Sequence, residues 1–319
     1  MKIHKSIHSF FKQYTIFPDR LFLGFTLFGL VVGAGLVLLN HLDFHYTMVT
    51  LFIPHIKSFS LFQMLCTFAL GSLFLFYGMY IQKESPRSST FIWGLGLFFW
   101  TVVVNFFFCY AIEPTPFTPI DAVLLKIDSG MGINTPALMA WTHHHPHCHH
   151  MFTFVYDSML LELTFIPLIL ALVNARKALG VFFIAQLCSL YVGCFIYYFF
   201  PTMAPSGIIH SPYFSSTQHD TSLKFYEIHH YLKVTTANGG LIAFPSFHVV
   251  WAILIANACR AKKIIFYPLA CYNILLIIST VFLGWHYFTD VIGGIVLAMS
   301  AIYFAEWVYK KSYSCQTST

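Results

Sequence analysis

Two short stretches of this 319-residue chain could do chemistry. Phe244-Pro-Ser-Phe-His248 sets a serine and a histidine just after a proline, and Gly284-Trp-His-Tyr-Phe-Thr-Asp290 sets a histidine and an aspartate four positions apart. On a helix, His286 and Asp290 share one face. A carboxylate there can accept the Nδ1 proton of the imidazole, which fixes the tautomer and leaves Nε2 free as a nucleophile. Pro245 and Ser246 read as a helix start, where unpaired N–H groups and the positive helix end favour an anion and the Ser246 hydroxyl adds a donor. His248 follows one turn in. Brought to one surface, these groups suggest phosphoryl transfer through a phosphohistidine. His286 attacks phosphorus, Asp290 orients it, and His248 protonates the leaving oxygen. The scheme requires no metal and no cofactor.

The elements that must position these residues are membrane helices. The chain is 58% apolar and 9% charged, against roughly 45–50% and 25% in soluble domains. Its mean hydropathy is +0.71. That balance excludes a water-soluble enzyme, a disordered chain and a nucleic-acid binder. A bilayer core about 30 Å thick takes about 20 apolar residues per helix. Eight runs meet that length: Leu21–Asn40, Phe59–Ile81, Phe91–Ile112, Met151–Val173, Gly180–Phe200, Leu241–Cys259, Ile264–Leu283 and Tyr287–Tyr309. The Leu241 run is the weakest, since Pro245, Ser246 and His248 lie near its start. None alternates as a barrel strand does. The expected fold is all-α, a polytopic transmembrane helix bundle of about eight spans.

Eight spans place both termini on one side. With that side cytoplasmic, 13 of the 17 basic residues fall on inner segments and 4 (Lys57, Lys126, Lys224, Lys233) on outer loops, as positive-inside bias requires. Both reactive stretches then open at the extracytoplasmic or lumenal face, of a bacterial inner membrane or a eukaryotic secretory one. The first apolar run has spanning length and no clear small-residue cleavage site, so it reads as a retained signal anchor. The organisation expected is a cytoplasmic tail and three spans (1–112), an outer loop (113–150), a catalytic membrane core (151–309) and a cytoplasmic tail (310–319). Most cysteines fall inside spans, so no disulfide framework is implied.

In the outer loop, Ile120–Ile127 has helical spacing of polar and apolar residues and predicts a short amphipathic helix on the membrane surface. The tract Trp141–His150 holds six histidines in eight residues. It reads either as a weak zinc site or as a solvated His-rich loop, because a linear tract rarely converges on one ion. Two acids fall within the fourth run. Asp157, near its outer end, is expected to face the reaction cavity and orient a hydroxyl acceptor or a histidine. Glu162 is deeper and needs a polar partner.

The pattern P-S-x-H followed by H-x-x-x-D resembles the type 2 phosphatidic acid phosphatase superfamily, over roughly Asp121 to Val308. Three details are similar to its branch containing fungal inositol phosphorylceramide synthase, related to the sphingomyelin synthases. They are His286-Tyr-Phe-Thr-Asp290, Phe200-Pro-Thr-Met-Ala-Pro205, and the run Ile120-Asp…Ile127-Asp…Trp141…His145-Pro146. The resemblance implies a six-helix catalytic bundle with His286 as nucleophile, Asp290 as its partner and His248 as acid. Pro201 and Pro205 would join Ser246 and Asp157 in binding substrate.

The departures are informative. The phosphatase branch clamps phosphate with a lysine and arginines. Here Pro201–Pro205 contains no basic residue, and Thr280 stands where an arginine would. A phosphomonoester carries about −1.5 to −2 charge and a diester about −1, so a cation-poor site suits the diester better. Lys224, Lys233 or the outer histidines could still fold over the site. Transfer of a phospho-headgroup between lipids, to an alcohol or lipid acceptor, and hydrolysis of a lipid phosphate both remain open. A competing class is a non-enzymatic lipid-binding or transport protein on the same scaffold, for which Glu162 is the candidate mid-span group.

Overall fold

The computed structural model describes residues 15–40, 61–236 and 242–316. Residues 1–14 with their lysines, Lys57 and Leu241 lie outside the described residues. Twelve α-helices and no strand occur among the described residues. The first three are α1 (Phe17–Leu39), α2 (Leu61–Tyr80) and α3 (Pro86–Ile112). Next come α4 (Asp121–Gly130), α5 (Thr135–His144), α6 (Pro146–Asp157), α7 (Met159–Leu172) and α8 (Arg176–Phe199). The last four are α9 (Ser216–His229), α10 (Phe247–Ala258), α11 (Lys263–Phe282) and α12 (Phe288–Gln316).

All eight apolar runs yield helix, because in hydrocarbon the backbone must satisfy its own polar groups. The helices they form differ in length, however. Helices α1, α2, α3, α8, α11 and α12 are long and apolar enough to cross a membrane. The fourth run is broken into α6 and α7, bent by 47°, and makes a seventh span if the pair is counted as one. The Leu241 run gives only the 12 residues of α10, about 18 Å at the helical rise. The chain before Phe247 is spent on turns at 243–246.

The α6–α7 break is held by side chains. Ser158 donates its hydroxyl to the Val155 carbonyl and accepts the Tyr272 hydroxyl at 2.8 Å. Glu162 has the polar partner it needs: the Asn273 amide donates to it at 2.9 Å, and the Ser158 hydroxyl, whose proton goes to Val155, lies 3.4 Å away.

Helix α8 lies at the centre, packed against α1, α3, α10 and α12, with residues buried around its circumference, among them Leu179, Phe182, Ile184 and Leu187. Small residues let neighbouring backbones touch. A Cβ on Gly96 would fall 2.5 Å from the Leu75 nitrogen, and one on Gly78 would fall 2.5 Å from the Trp93 nitrogen, so α2 and α3 meet backbone to backbone. The same device joins α10 to α12. A Cβ on Gly294 would fall 2.7 Å from the Ser246 carbonyl oxygen and 2.8 Å from Val249 Cβ.

The predicted amphipathic helix is α4, and its acids point inward. Asp121, Leu124 and Asp128 are buried, whereas Val123 and Ile127 are exposed. The histidine tract is not a loop. It ends α5 and opens α6, with the junction at His145-Pro146.

Candidate active site

Helix α11 ends in a Schellman turn. Gly284 takes a left-handed φ of +77°, a conformation glycine adopts without steric cost. Its N–H donates to Val281, and the Trp285 N–H reaches back to the Thr280 carbonyl at 2.9 Å. The His286 N–H donates to the same carbonyl at 3.1 Å. The chain then turns into α12, and Asp290 falls in that helix's first turn.

This path brings the predicted residues together. His286 Nδ1 lies 3.2 Å from Asp290 Oδ2, which also accepts the Tyr287 N–H at 2.9 Å. His286 Nε2 lies 3.5 Å from His248 Nδ1, with ring centroids 5.6 Å apart. Asp290 is fully buried and His286 is 4% exposed. Burial holds the His286 pKa down to about 4, so the imidazole is neutral near pH 7 and Nε2 keeps a lone pair when the proton sits on Nδ1.

Ser246 is the N-cap of α10. Its hydroxyl accepts the Val249 N–H at 3.5 Å, and its own N–H donates to the Asp290 carbonyl at 3.1 Å. Its main contacts therefore join the two reactive stretches. Pro201 and Pro205 are placed as framework. The Pro201 carbonyl accepts the Ile120 N–H at 2.9 Å, and Pro205 opens a short 3-10 turn, Pro205–Gly207. Between them, Thr202 Oγ1 accepts the Phe244 N–H at 3.1 Å, and the Met203 N–H donates to Asp121 at 2.9 Å. The segment ties α4 to the approach of α10 and makes none of these contacts with the histidines.

Asp157 lies at the end of α6 and lines a cavity of about 420 Å³ with Tyr156, Trp285, His143, His149 and Tyr213. The Tyr156 ring stacks on His248 at 4.5 Å and on Trp285 at 5.3 Å. This three-ring stack makes the wall of the cavity and the backing of His248 one structure. No lysine or arginine among the described residues lines it. Lys224 is buried on α9 and its charge acts on Glu113, at the end of α3. Burial drives the Glu113 carboxyl up to about 8 against the pull of that lysine.

The histidines of the tract do not converge. His144 and His145 turn Nδ1 onto the Ala140 and Trp141 carbonyls, while His143 packs on His149 and Tyr213. Among the described residues, no group of three or more His, Cys, Asp or Glu side chains is placed to hold a metal ion.

Sequence reasoning missed Tyr156, whose role is created by partners more than ninety positions away. It also passed over what Asp121 and Asp128 hold. Asp121 accepts the Tyr287 hydroxyl at 3.1 Å, beside the nucleophile candidate. Burial lifts the Asp121 carboxyl to about 6. The signals for these acids were their seven-residue spacing on one helix and their place in the run Ile120-Asp…Ile127-Asp, neither of which says what they bind.

The PAP2 superfamily model matches residues 122–304, more than half of the chain. The chain belongs to the PAP2 superfamily. It is a helical, membrane-type member of a superfamily of phosphatases and phosphotransferases. The segment matched to the superfamily contains both histidines and Asp290, and helices α1–α3 precede it. No curated protein and no solved structure matched the chain.

Proposed function

We propose that this PAP2-superfamily protein acts on a lipid phosphoester through a phosphohistidine on His286. The observation that carries this reading is the approach of His286 Nε2 to His248 Nδ1 at 3.5 Å, with Asp290 on the far nitrogen of the His286 ring. In the first step the Nε2 lone pair forms a bond to phosphorus. The bond from phosphorus to the leaving oxygen breaks, and His248, protonated once the phosphoester anion is bound and offsets the burial that otherwise lowers its pKa, gives that oxygen its proton. Asp290 stabilises the charge that the ring acquires. In the second step an acceptor hydroxyl gives its proton to His248 and attacks phosphorus. The P–N bond breaks and both histidines return to their starting states.

The sequence around the histidines favours a diester donor and transfer of its phospho-headgroup, since Pro201–Pro205 holds no basic residue and Thr280 stands where the phosphatase branch has an arginine. The cavity behind Tyr156, which neither histidine lines, would take the acceptor. Asp157, on the same wall as Tyr156, is the group we assign to orient the acceptor hydroxyl. This tilt, and the details similar to inositol phosphorylceramide synthase, support an alcohol or lipid acceptor in preference to water. The distribution of Lys and Arg supports a site on the extracytoplasmic or lumenal side. Glu162, the candidate for a non-enzymatic transport role, is bonded to Asn273 beside the α6–α7 break, which supports a structural part for it.

The test supplies a labelled phospholipid to purified protein in mixed micelles, with and without an alcohol acceptor. A new labelled phospholipid that appears only with acceptor is the expected product. Free phosphate in both arms would make the protein a hydrolase. Equal turnover by His286→Ala and the parent would overturn the phosphohistidine.

A further inference from the structure

The loop that carries His286 is gripped from outside by α4. Asp128 is fully buried. Its Oδ2 accepts the Phe288 N–H at 2.7 Å, and its Oδ1 accepts the Thr289 N–H at 3.0 Å together with the Thr289 hydroxyl. These N–H groups open α12, where a helix leaves its amides without partners of its own. Asp128 therefore caps α12 from another helix. Its charge also lies at the positive helix end. In the same first turn, Asp290 must hold His286 Nδ1 and the Tyr287 N–H with a single oxygen. Seven residues before Asp128, on the same face of α4, Asp121 takes the Tyr287 hydroxyl. The four residues from Tyr287 to Asp290 are thus fixed on one side by α4 and on the other by their own helix.

We infer that Asp128 is a positioning residue for phosphoryl transfer, setting the angle at which Asp290 presents His286 Nε2 to phosphorus. This inference rests on the proposed nucleophile. Its chemical content is narrow: Asp128 touches no reacting atom and acts through the first turn of α12. Attack geometry is steep in distance and angle, so a loosened first turn lowers turnover more than it weakens binding of the lipid.

The experiment is a double-mutant cycle on full-length protein, with labelled phospholipid and acceptor as substrates. Asp128→Asn replaces one acceptor oxygen by an amide donor that faces an N–H group. We expect kcat to fall at least tenfold with KM within threefold of the parent. In an Asp290→Asn background the same change should cost less than threefold, because the alignment it serves is already lost. Thr289→Val removes only the hydroxyl contact and keeps both backbone bonds. It gives the same pattern with a smaller loss, and it serves where Asp128→Asn does not fold. Equal losses in both backgrounds, a loss confined to KM, or kcat within twofold of the parent in both variants would overturn the assignment. His286→Ala separates the two readings. If it is inactive while the Asp128 and Thr289 variants retain full kcat, the positioning role fails and the nucleophile stands. If it is active, the nucleophile itself fails.

Discussion

Helices α1–α3 and the segment from α4 onward are held by different means. In the first region α2 and α3 meet mainly through glycines and apolar side chains, with Gly78 against Trp93 and Gly96 against Leu75. The bonds that cross between them come from neutral side chains, Ser89 to the Gly78 carbonyl and Trp100 to the Phe68 carbonyl. Several hydroxyls there bond back into their own helix, as Thr67 does to Gln63 and Ser72 to Phe68. In the second region buried acids reach across to backbone N–H groups of other elements: Asp121 to Met203, and Asp128 to Phe288 and Thr289. Apolar contact is non-directional and tolerates small slides. A hydrogen bond weakens steeply once its angle is lost. The first region fixes where helices stand, and the second fixes which way two imidazoles face.

The largest test of this contrast is His286→Ala. It should lower turnover by at least ~10³-fold while the protein stays in the membrane fraction, as loss of a covalent nucleophile does. Next comes a matched pair of glycines. Gly294→Ala pushes α10 away from α12 beside Ser246, and should lower kcat about tenfold or more. Gly96→Ala pushes α2 away from α3. It should cost about 1–3 kcal/mol of stability as overpacking does, read as a lower melting temperature, yet leave kcat of the folded protein within about threefold. Equal loss of kcat in both variants would erase the distinction between the regions.

Smaller effects follow from two titrations. Protonated His286 has no lone pair at Nε2. Its pKa is held near 4, below the ordinary 6.5, so the acid limb of kcat/KM that it sets should lie near pH 4. A limb at 6.5 would mean that the ring is solvated in the working enzyme. Glu113 stands where the two regions meet. Its folded pKa of about 8 exceeds the usual 4.5, so between those values the folded state binds more protons than the unfolded one. Stability from this group is full below 4.5 and is lost as pH rises towards 8. Melting temperature should therefore fall across that window in the parent and fall less in Glu113→Gln.

Much of this architecture was legible from residue order alone. Every apolar run became helix, since length and hydropathy report what a bilayer demands. The pairing of His286 with Asp290 was legible too, although not on a shared helix face as expected: His286 lies in the loop before α12 and Asp290 in its first turn, and the short spacing alone keeps them within reach. The break at Ser158 was not, for it carries neither Pro nor Gly and depends on Tyr272, 114 positions away. Nor was the inward turn of Asp121 and Asp128. The amphipathic pattern locates a helix at an interface, but the partners that draw its acids inward lie up to 166 positions along the chain. Between Pro201 and Pro205, Thr202 and Met203 tie α4 to the approach of α10, contacts that the position of the segment in the sequence does not encode.

Asp128 and its backbone partners are 160 and 161 positions apart. During synthesis α4 is therefore complete long before the amides it will bind exist. A carboxyl group without partners is costly to bury, so through that interval Asp128 favours water. It can seat itself only when the last helix enters the bundle, and the reactive imidazole gains its orientation at that same final moment of assembly.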